Sequence, residues 1–502
     1  MAYQWWHEPE FKEQSDEITA VINNYAIQIQ KTGGAFLNSG KTNGGEVYTP
    51  YWTVVKMCYL AAEIDDLNKT VFDACCGSGN FILEVYRRRF IVAAHSINVY
   101  ENIKNIVRNS FALDINSNSI DKARQRIITL FNNITTCFVQ HNLLTERQKN
   151  ELNTYITESI QYRVLTDSIY NIPCKFDVII SNPPYNKDMY LDFVEAAYDL
   201  LAPDGVGIFI TPAKFYAKGG AKNEAFRQKI MPHIHNVHLY KCCTDVFDIA
   251  ELGGVAYYSI YKNQTFDTKE IYNHSKNASL DDTRLHTHTH AEKPVEFMQN
   301  SSLALINKLK TISQHSIFEN IHLSRSYYSN ETARGHEKRF DDDIILMRGN
   351  GGTLGSDGYI SRSEIRTLDN IDKYKVIMNH QQTGMVTLDK NNMSGGIKVA
   401  QYIRPGEAVA SYIILSFADT ELEAQSKVSY FNSQLVSYCS IVSFVGNGTD
   451  NSENWRHVPA LPAGYTFDHI YTNEEIFDIF QLTPDERKLI TSIIKPRAKK
   501  GI

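Results

Sequence analysis

KTVFDACCGSGNF, residues 69–81, passes from a short apolar run into a glycine turn and then into FILEVYRRRF, which has helical spacing. Read together these are strand, loop and helix. The same alternation continues through SFALDINSNSIDKARQRIITLF, CFVQHNLL, KFDVIISNPPY, the helical YLDFVEAAYDLLAPDG and the strand VGIFITP. Strands that alternate with helical segments predict an α/β domain with a mostly parallel sheet covered on both faces. Such sheets bind ligands at the carboxyl ends of their strands.

At 502 residues the chain exceeds what one hydrophobic core ordinarily serves, so two domains are expected. With 43% hydrophobic and 22% charged residues the composition is that of a globular protein, not a disordered or membrane one. The first residues, MAYQWWHEPEFKEQ, lack the apolar core of a signal peptide, and a cytoplasmic location is expected. The eight cysteines never fall in a C-x-x-C spacing, which argues for free thiols and against a cysteine-bound metal. A net charge of −6 does not advertise nucleic acid, so any anionic partner must meet local basic patches. Three segments follow from the texture: an N-terminal helical extension (1–45), the α/β domain (46–263), and a glycine-, serine- and asparagine-rich, mixed α+β region (264–502).

Within 69–81, Gly77 and Gly79 permit a tight turn, and Asp73 ends the strand as an acceptor. The third glycine of a dinucleotide fingerprint is absent, so a ligand with an amino-acid end suits the acidic strand tip better than a pyrophosphate does. Asp114, in FALDINSNS, is a second acidic strand end and a natural acceptor for ribose hydroxyls. Its distance from Asp73 exceeds the usual spacing, and the helix SINVYENIKNIV accounts for the excess. In IISNPPYNKD, residues 179–188, the two prolines fix φ and remove two amide donors. The Asn182 side-chain oxygen and the Pro183 carbonyl then form a stiff pair of acceptors beside the Tyr185 ring. That geometry fits the exocyclic amine of a flat base, and acceptors set in place beforehand stabilise charge that appears only in the transition state.

GEVYTP, DACCGSGNF, ALDI, HNLL, SNPPY and FITPAKF occur in that order across residues 45–215. In this the chain resembles the adenine-N6 DNA methyltransferases that use S-adenosylmethionine, in their gamma arrangement, as found in restriction-modification systems. The resemblance implies a Rossmann-like methyltransferase fold and a C-terminal target recognition domain. It places Tyr48 and Thr49 near the methionine end of the cofactor. Asp73, Cys75, Gly77, Gly79 and Phe81 would surround its amino-acid part, and Asp114 and Ile115 its ribose. Asn142 and Leu143 fall to its adenine, with Asn142 standing where the family more often has aspartate; Ala74 replaces the usual proline. Asn182, Pro183, Pro184 and Tyr185 would hold the target adenine, with Asn182 also bordering the cofactor. The family's later aromatic, which packs on the flipped base, has candidates in Tyr257, Tyr258 and Tyr261. Tyr258 is preferred, with a plain sheet-filling role as the alternative. Double-stranded DNA is the implied partner, with the target nucleotide leaving the stack; a separate restriction endonuclease is compatible with it. No metal is required, and nothing in the sequence sets an oligomeric state.

The segment PAKFYAKGGAKNEAFRQK carries Lys214, Lys218, Lys222, Arg227 and Lys229 against one acid, and phosphate contacts are assigned to the first four; a solvated helix surface is the alternative. The run Arg87–Arg89 reads as structural. Arg348, Arg362, Arg366, Gln381 and Arg404 have the chemistry to read major-groove edges. Related glutamine methyltransferases share NPPY but lack a long C-terminal region, and an RNA adenine methylase would favour a more basic surface.

Overall fold

The computed structural model describes residues 16–32, 48–217, 221–240, 254–274 apart from 267, 285–289 and much of 300–494, together with Cys243, Val246 and Phe247. The described chain divides into two compact units: residues 1–276 with 286–294, and residues 277–285 with 295–502.

The first unit is built on one nine-stranded sheet in the order β3-β2-β1-β4-β5-β7-β6-β8-β9. Its first half comprises β1 (Val71–Asp73), β2 (Ser110–Asp114), β3 (Val164–Thr166), β4 (Phe176–Ser181) and β5 (Leu201–Pro212), all parallel. β6 (Ile234–Tyr240) and β7 (Val255–Tyr261) follow, β7 lying antiparallel between β5 and β6. β8 (Thr268–His274) and β9 (Leu285–Thr289) extend the sheet past residue 263, where the sequence places a domain boundary. This is a Rossmann-like α/β arrangement with a mostly parallel first half. Val71, Val178, Ile179, Ile180, Val206, Ile208 and Ile210 have no exposed surface, as expected of strands covered on both faces.

The α-helices described in this unit are α1 (Glu17–Lys31), α2 (Tyr51–Cys58), α3 (Asn80–Ala94), α4 (Val99–Arg108), α5 (Ser117–Gln140), α6 (Glu146–Arg163), α7 (Met189–Asp199), α8 (Lys214–Ala217) and α9 (Ala221–Ile230). The arginine run of α3 is structural. Arg87 forms a two-point ion pair with buried Glu84, Arg88 pairs with Asp65, and Arg89 donates to the carbonyls of Ile64, Asp66, Lys69 and Asn109. α4 is the extra helix between Asp73 and Asp114.

One expected strand is helix instead. CFVQ continues α5, because Phe138 extends the buried stripe of Ile127, Leu130, Phe131 and Ile134 at helical spacing. A short apolar run does not by itself distinguish helix from strand. β3 is supplied later, by VLT.

The second unit contains two three-stranded sheets, ordered β11-β10-β14 and β13-β12-β15. They comprise β10 (Ile344–Asn350), β11 (Thr353–Ile360), β12 (Tyr374–Asn379), β13 (Gln401–Ile403), β14 (Glu407–Ala410) and β15 (Tyr412–Ala418). Tyr430, Trp455, Phe477, Phe480 and Ile490 anchor a core that also takes in Val376, Ile413 and Leu415 of the second sheet. Mixed α+β is the observed architecture. Among the described residues, no helix is long and apolar enough to cross a membrane.

Candidate active site

Strand order turns at β1: β2 and β3 lie on one side, β4 and β5 on the other. This switch point leaves a crevice above the strand ends, where ligands bind in open α/β sheets. Register places the residues along it. Asp73 pairs with Ala112 of β2 and Ile180 of β4, so Asp114 and Asn182 each stand two residues above Asp73 on its neighbouring strands.

The glycine loop is shaped by its backbone. Gly77 (φ 49°) and Gly79 (φ 95°) both adopt the left-handed region that favours glycine. The amide of Gly77 donates to Asp114 Oδ2 at 2.8 Å, and Asn116 N donates to Oδ1 at 2.9 Å, so the β2 tip carboxylate holds the loop from the side. A Cβ on Gly77 would lie 3.1 Å from the Tyr48 ring, and one on Gly79 would lie 3.2 Å from Ala123 Cβ on α5. Gly79→Ala therefore combines backbone strain with a rigid clash at the first turn of α3. The expected result is a loss of about 1–3 kcal/mol in stability, measured by denaturant unfolding.

Asp73 is fully buried, and neither carboxylate oxygen meets a partner with full hydrogen-bond geometry. Burial pushes its pKa well above the ordinary carboxylate value, partly opposed by the nearby amides of Cys75 and Ile82 and reinforced by Asp114. Thr49 Oγ1 is likewise buried without a hydrogen-bond partner, while its carbonyl accepts from Asn80 Nδ2 at 3.3 Å. Phe81 is buried at the start of α3, Cys75 is half-buried with its thiol 4.0 Å from Asp114 Oδ2, and Ile115 stands 80% exposed beside Asp114. A buried acid and a buried hydroxyl with unmet bonding capacity, flanking a glycine cradle, fit a ligand with an ammonium and a polar tail.

Asn182 and Tyr185 are half-buried just past β4, with Pro183 buried between them. Tyr185 OH donates to the Ile210 carbonyl of β5 at 3.2 Å, which pins the ring at the crevice. Burial raises the phenol pKa well above its ordinary value, with Tyr258 and Cys243 adding to the rise.

Three sequence expectations are corrected by the geometry. Asn142 and Leu143 follow a 24-residue uninterrupted helix that begins just after Asp114. At 1.5 Å per residue this carries them roughly 36 Å from the β2 tip, too far for any part of the cofactor. The residues that actually end the next strand are Thr166 and Asp167, and Asp167 N donates to the Asp114 carbonyl at 3.1 Å. The sequence signal is the short VLTD, which directly follows a helix and reads as its continuation. Tyr258 is the second correction. It has no exposed surface, its hydroxyl lies 3.2 Å from Thr211 Oγ1, and its ring is surrounded by Phe209, Phe215 and Tyr216. It fills the sheet face and is not available to stack on a base. Tyr257 is buried as well, stacked on His238. The end of β6 and the start of β7 lie at the carboxyl edge, since Tyr240 and Pro212 both pair with Val255, and Phe247 is buried.

The basic segment is the third. Arg227 is 2% exposed and donates to the Phe215 carbonyl at 2.6 Å, so it braces α8 against α9 and does not meet phosphate. Lys222 is exposed but paired with Asp192 of α7 at 2.7 Å. Lys214 opens α8, and Lys218 lies outside the described residues. Arg227→Met is therefore expected to lower stability by about 1–3 kcal/mol by stranding a buried carbonyl, measured by thermal unfolding.

The sequence profile described as N-6 DNA methylase matches residues 34–237. That match spans 204 of the chain's 502 residues. The switch-point crevice, with Asp73, the glycine loop, Asp114 and the SNPPY turn, lies wholly within the matched residues. A Type II methyltransferase, M.VspI of Vibrio sp. (strain 343), is 26% identical over 165 residues, covering 33% of this chain and 31% of that protein. The chain thus matches about a third of the length of this curated relative. Among solved structures, the M protein of the type I restriction enzyme EcoKI is 15% identical, with a TM-score of 0.32, covering 45% of this chain and 48% of that one. The Type ISP restriction-modification enzyme LlaBIII bound to DNA is 12% identical, with a TM-score of 0.44, covering 87% of this chain and 39% of that one.

Proposed function

We propose that the methylase domain transfers a methyl group from S-adenosylmethionine to the N6 amine of an adenine turned out of double-stranded DNA. The observation that carries this reading is the juxtaposition, two residues above Asp73 on adjacent strands, of the Asp114-bound glycine loop and the SNPPY turn. The cofactor supplies a methyl made electrophilic by its sulfonium. Thr49, Asp73 and the loop backbone at Gly77–Gly79 would hold its amino-acid end, and Asp114 with Ile115 its ribose side. The buried acceptors at Asp73 and Thr49 support that fit.

Asn182 and the Pro183 carbonyl then act on the adenine. The lone pair of an aromatic amine is delocalised into its ring, so accepting its two hydrogens favours the tetrahedral form that attacks. The proline-fixed backbone makes these acceptors costless to reorganise at the moment of reaction. Tyr185, tethered through its hydroxyl, offers its ring to the flipped base. The adenine nitrogen would displace the sulfonium sulfur directly, the N–CH3 bond forming as the S–CH3 bond breaks, with S-adenosylhomocysteine leaving and the extra N6 proton lost to solvent afterwards; none of the cysteines is asked to act. The amine inside a duplex cannot reach the crevice, so the base must be extruded.

We assign sequence reading to the second unit, where Arg362, Arg366 and Arg404 are exposed. Arg348 is instead engaged by Asp357 and the Ala333 carbonyl. Gln381 lies outside the described residues. The deciding experiment incubates the protein with methyl-labelled S-adenosylmethionine and, in turn, duplex DNA, RNA and a protein extract, then digests and identifies the labelled product. N6-methyladenine from duplex DNA is the expected result. Label on RNA or on glutamine would overturn the assignment of substrate.

A further inference from the structure

We propose that Arg126 of α5, acting with Gln30 of α1, is the brace that sets the shape of the glycine loop, which makes the N-terminal helix a working part of the cofactor pocket. This rests on the reading of that loop as the seat of S-adenosylmethionine.

Arg126 is only 7% exposed, and each of its hydrogen-bond acceptors is neutral. Nη1 donates to the carbonyl and hydroxyl of Ser78 and to Asn80 Oδ1. Nη2 donates to the Ile29 carbonyl at 3.2 Å, to Gln30 Oε1 at 3.2 Å and, at 3.5 Å, to the Gln30 carbonyl. Gln30, 2% exposed, closes the circuit by donating from Nε2 to the Asn80 carbonyl at 3.0 Å. Asn80 passes the constraint on through its bond to the Thr49 carbonyl.

Burying a cation against carbonyls and amides gives no ion-pair compensation for its desolvation. What the arrangement does supply is geometry. A planar guanidinium fork can hold several acceptors in fixed directions at once. Those acceptors are Ser78, between the two left-handed glycines, Asn80, which opens α3, and the last turn of α1. The loop needs outside support, since Gly77 and Gly79 carry no side chains to hold it. Ala123, one turn before Arg126 on α5, packs against Gly79 from the same helix face. Arg126 is thus a positioning residue: it contacts the loop, and the loop contacts the ligand.

Two variants test the brace. Arg126→Lys keeps the charge, but a single ammonium cannot span Ser78, Asn80 and α1 together. Gln30→Ala removes the link to α1 with a smaller disturbance and decides the matter if the lysine variant fails to fold. Hydrogen exchange of the Gly77–Phe81 amides is followed in the unliganded protein, alongside the Kd for S-adenosylmethionine by calorimetry. Expected are cooperative melting, loop amides that exchange about tenfold faster or more, and a Kd weakened about 10- to 100-fold, as for loss of a buried hydrogen-bond partner. In turnover, the loss would appear in the cofactor KM more than in kcat. Wild-type loop exchange and Kd in Gln30→Ala, or full rescue by lysine, would overturn the proposal. If the wild-type protein itself fails to bind S-adenosylmethionine, the functional reading falls, and loop exchange still decides the brace.

Discussion

Asn182→Ala will lower the rate of methyl transfer by about 10²- to 10³-fold, the scale seen when one preorganised polar group is removed from a transition state, with cofactor affinity close to wild type. The reasoning is positional. Asn182 stands at the end of β4, where its side chain is held half-buried by a proline-stiffened turn, and its proposed partner is the base amine. Truncation removes an acceptor that matters most as the nitrogen becomes tetrahedral, so the effect falls on kcat. Single-turnover transfer to duplex DNA measures the rate, and calorimetry measures cofactor binding. Wild-type turnover in this variant would remove Asn182 from the mechanism. Tyr185→Phe gives a useful contrast. It keeps the ring and loses only the bond to the Ile210 carbonyl, so its cost is about 1 kcal/mol.

Asp73→Asn is expected to do the reverse, weakening the cofactor about 10- to 100-fold, as for losing a hydrogen bond to a charged group, while making the unliganded protein more stable at neutral pH. Both effects come from the same burial. Because the folded-state pKa is raised, the carboxyl binds its proton more tightly in the folded chain than in the unfolded one. Stability is then lost as pH rises from the unfolded carboxylate value, near 3.8, up to the folded value, and the penalty persists above it. Asparagine escapes that penalty, so the gain in melting temperature should shrink towards zero as the pH is lowered to about 4. A ligand ammonium placed against Asp73 would favour its ionised form and release a proton on binding. Calorimetry in buffers of different ionisation enthalpy reads this directly. A Kd for Asp73→Asn equal to wild type, or binding without proton release below the folded pKa, would show that Asp73 does not face the cofactor.

The parts of the site that were legible in the sequence share one property: they sit on strand ends next to residues with special backbone requirements. Asp73, Gly77 and Gly79 lie within seven residues of one another, the SNPPY turn is itself one contiguous stretch, and a strand followed directly by such a turn admits few spatial arrangements. Asn142 failed because its placement needed the length of the preceding helix. An apolar CFVQ reads equally well as a strand until the buried stripe of α5 is seen to run through Phe138. Arg227 and Tyr258 failed for a different reason. Charge and aromaticity describe what a side chain can do, and only burial tells whether it is in a position to do it. Arg227 is consumed by the Phe215 carbonyl, and Tyr258 by Thr211 and the surrounding rings.

Local sequence alone determined the parallel α/β core, the positions of the left-handed glycines and the stiffness of the NPPY turn, because these depend on side-chain periodicity and on the φ preferences of glycine and proline. Tertiary structure alone decided which residues meet. Asp114 comes to the Gly77 amide across 37 residues, and Arg126 to Ser78 across 48. Partnerships over such separations are set by strand order and helix length, and those emerge only when the whole sheet has closed its core.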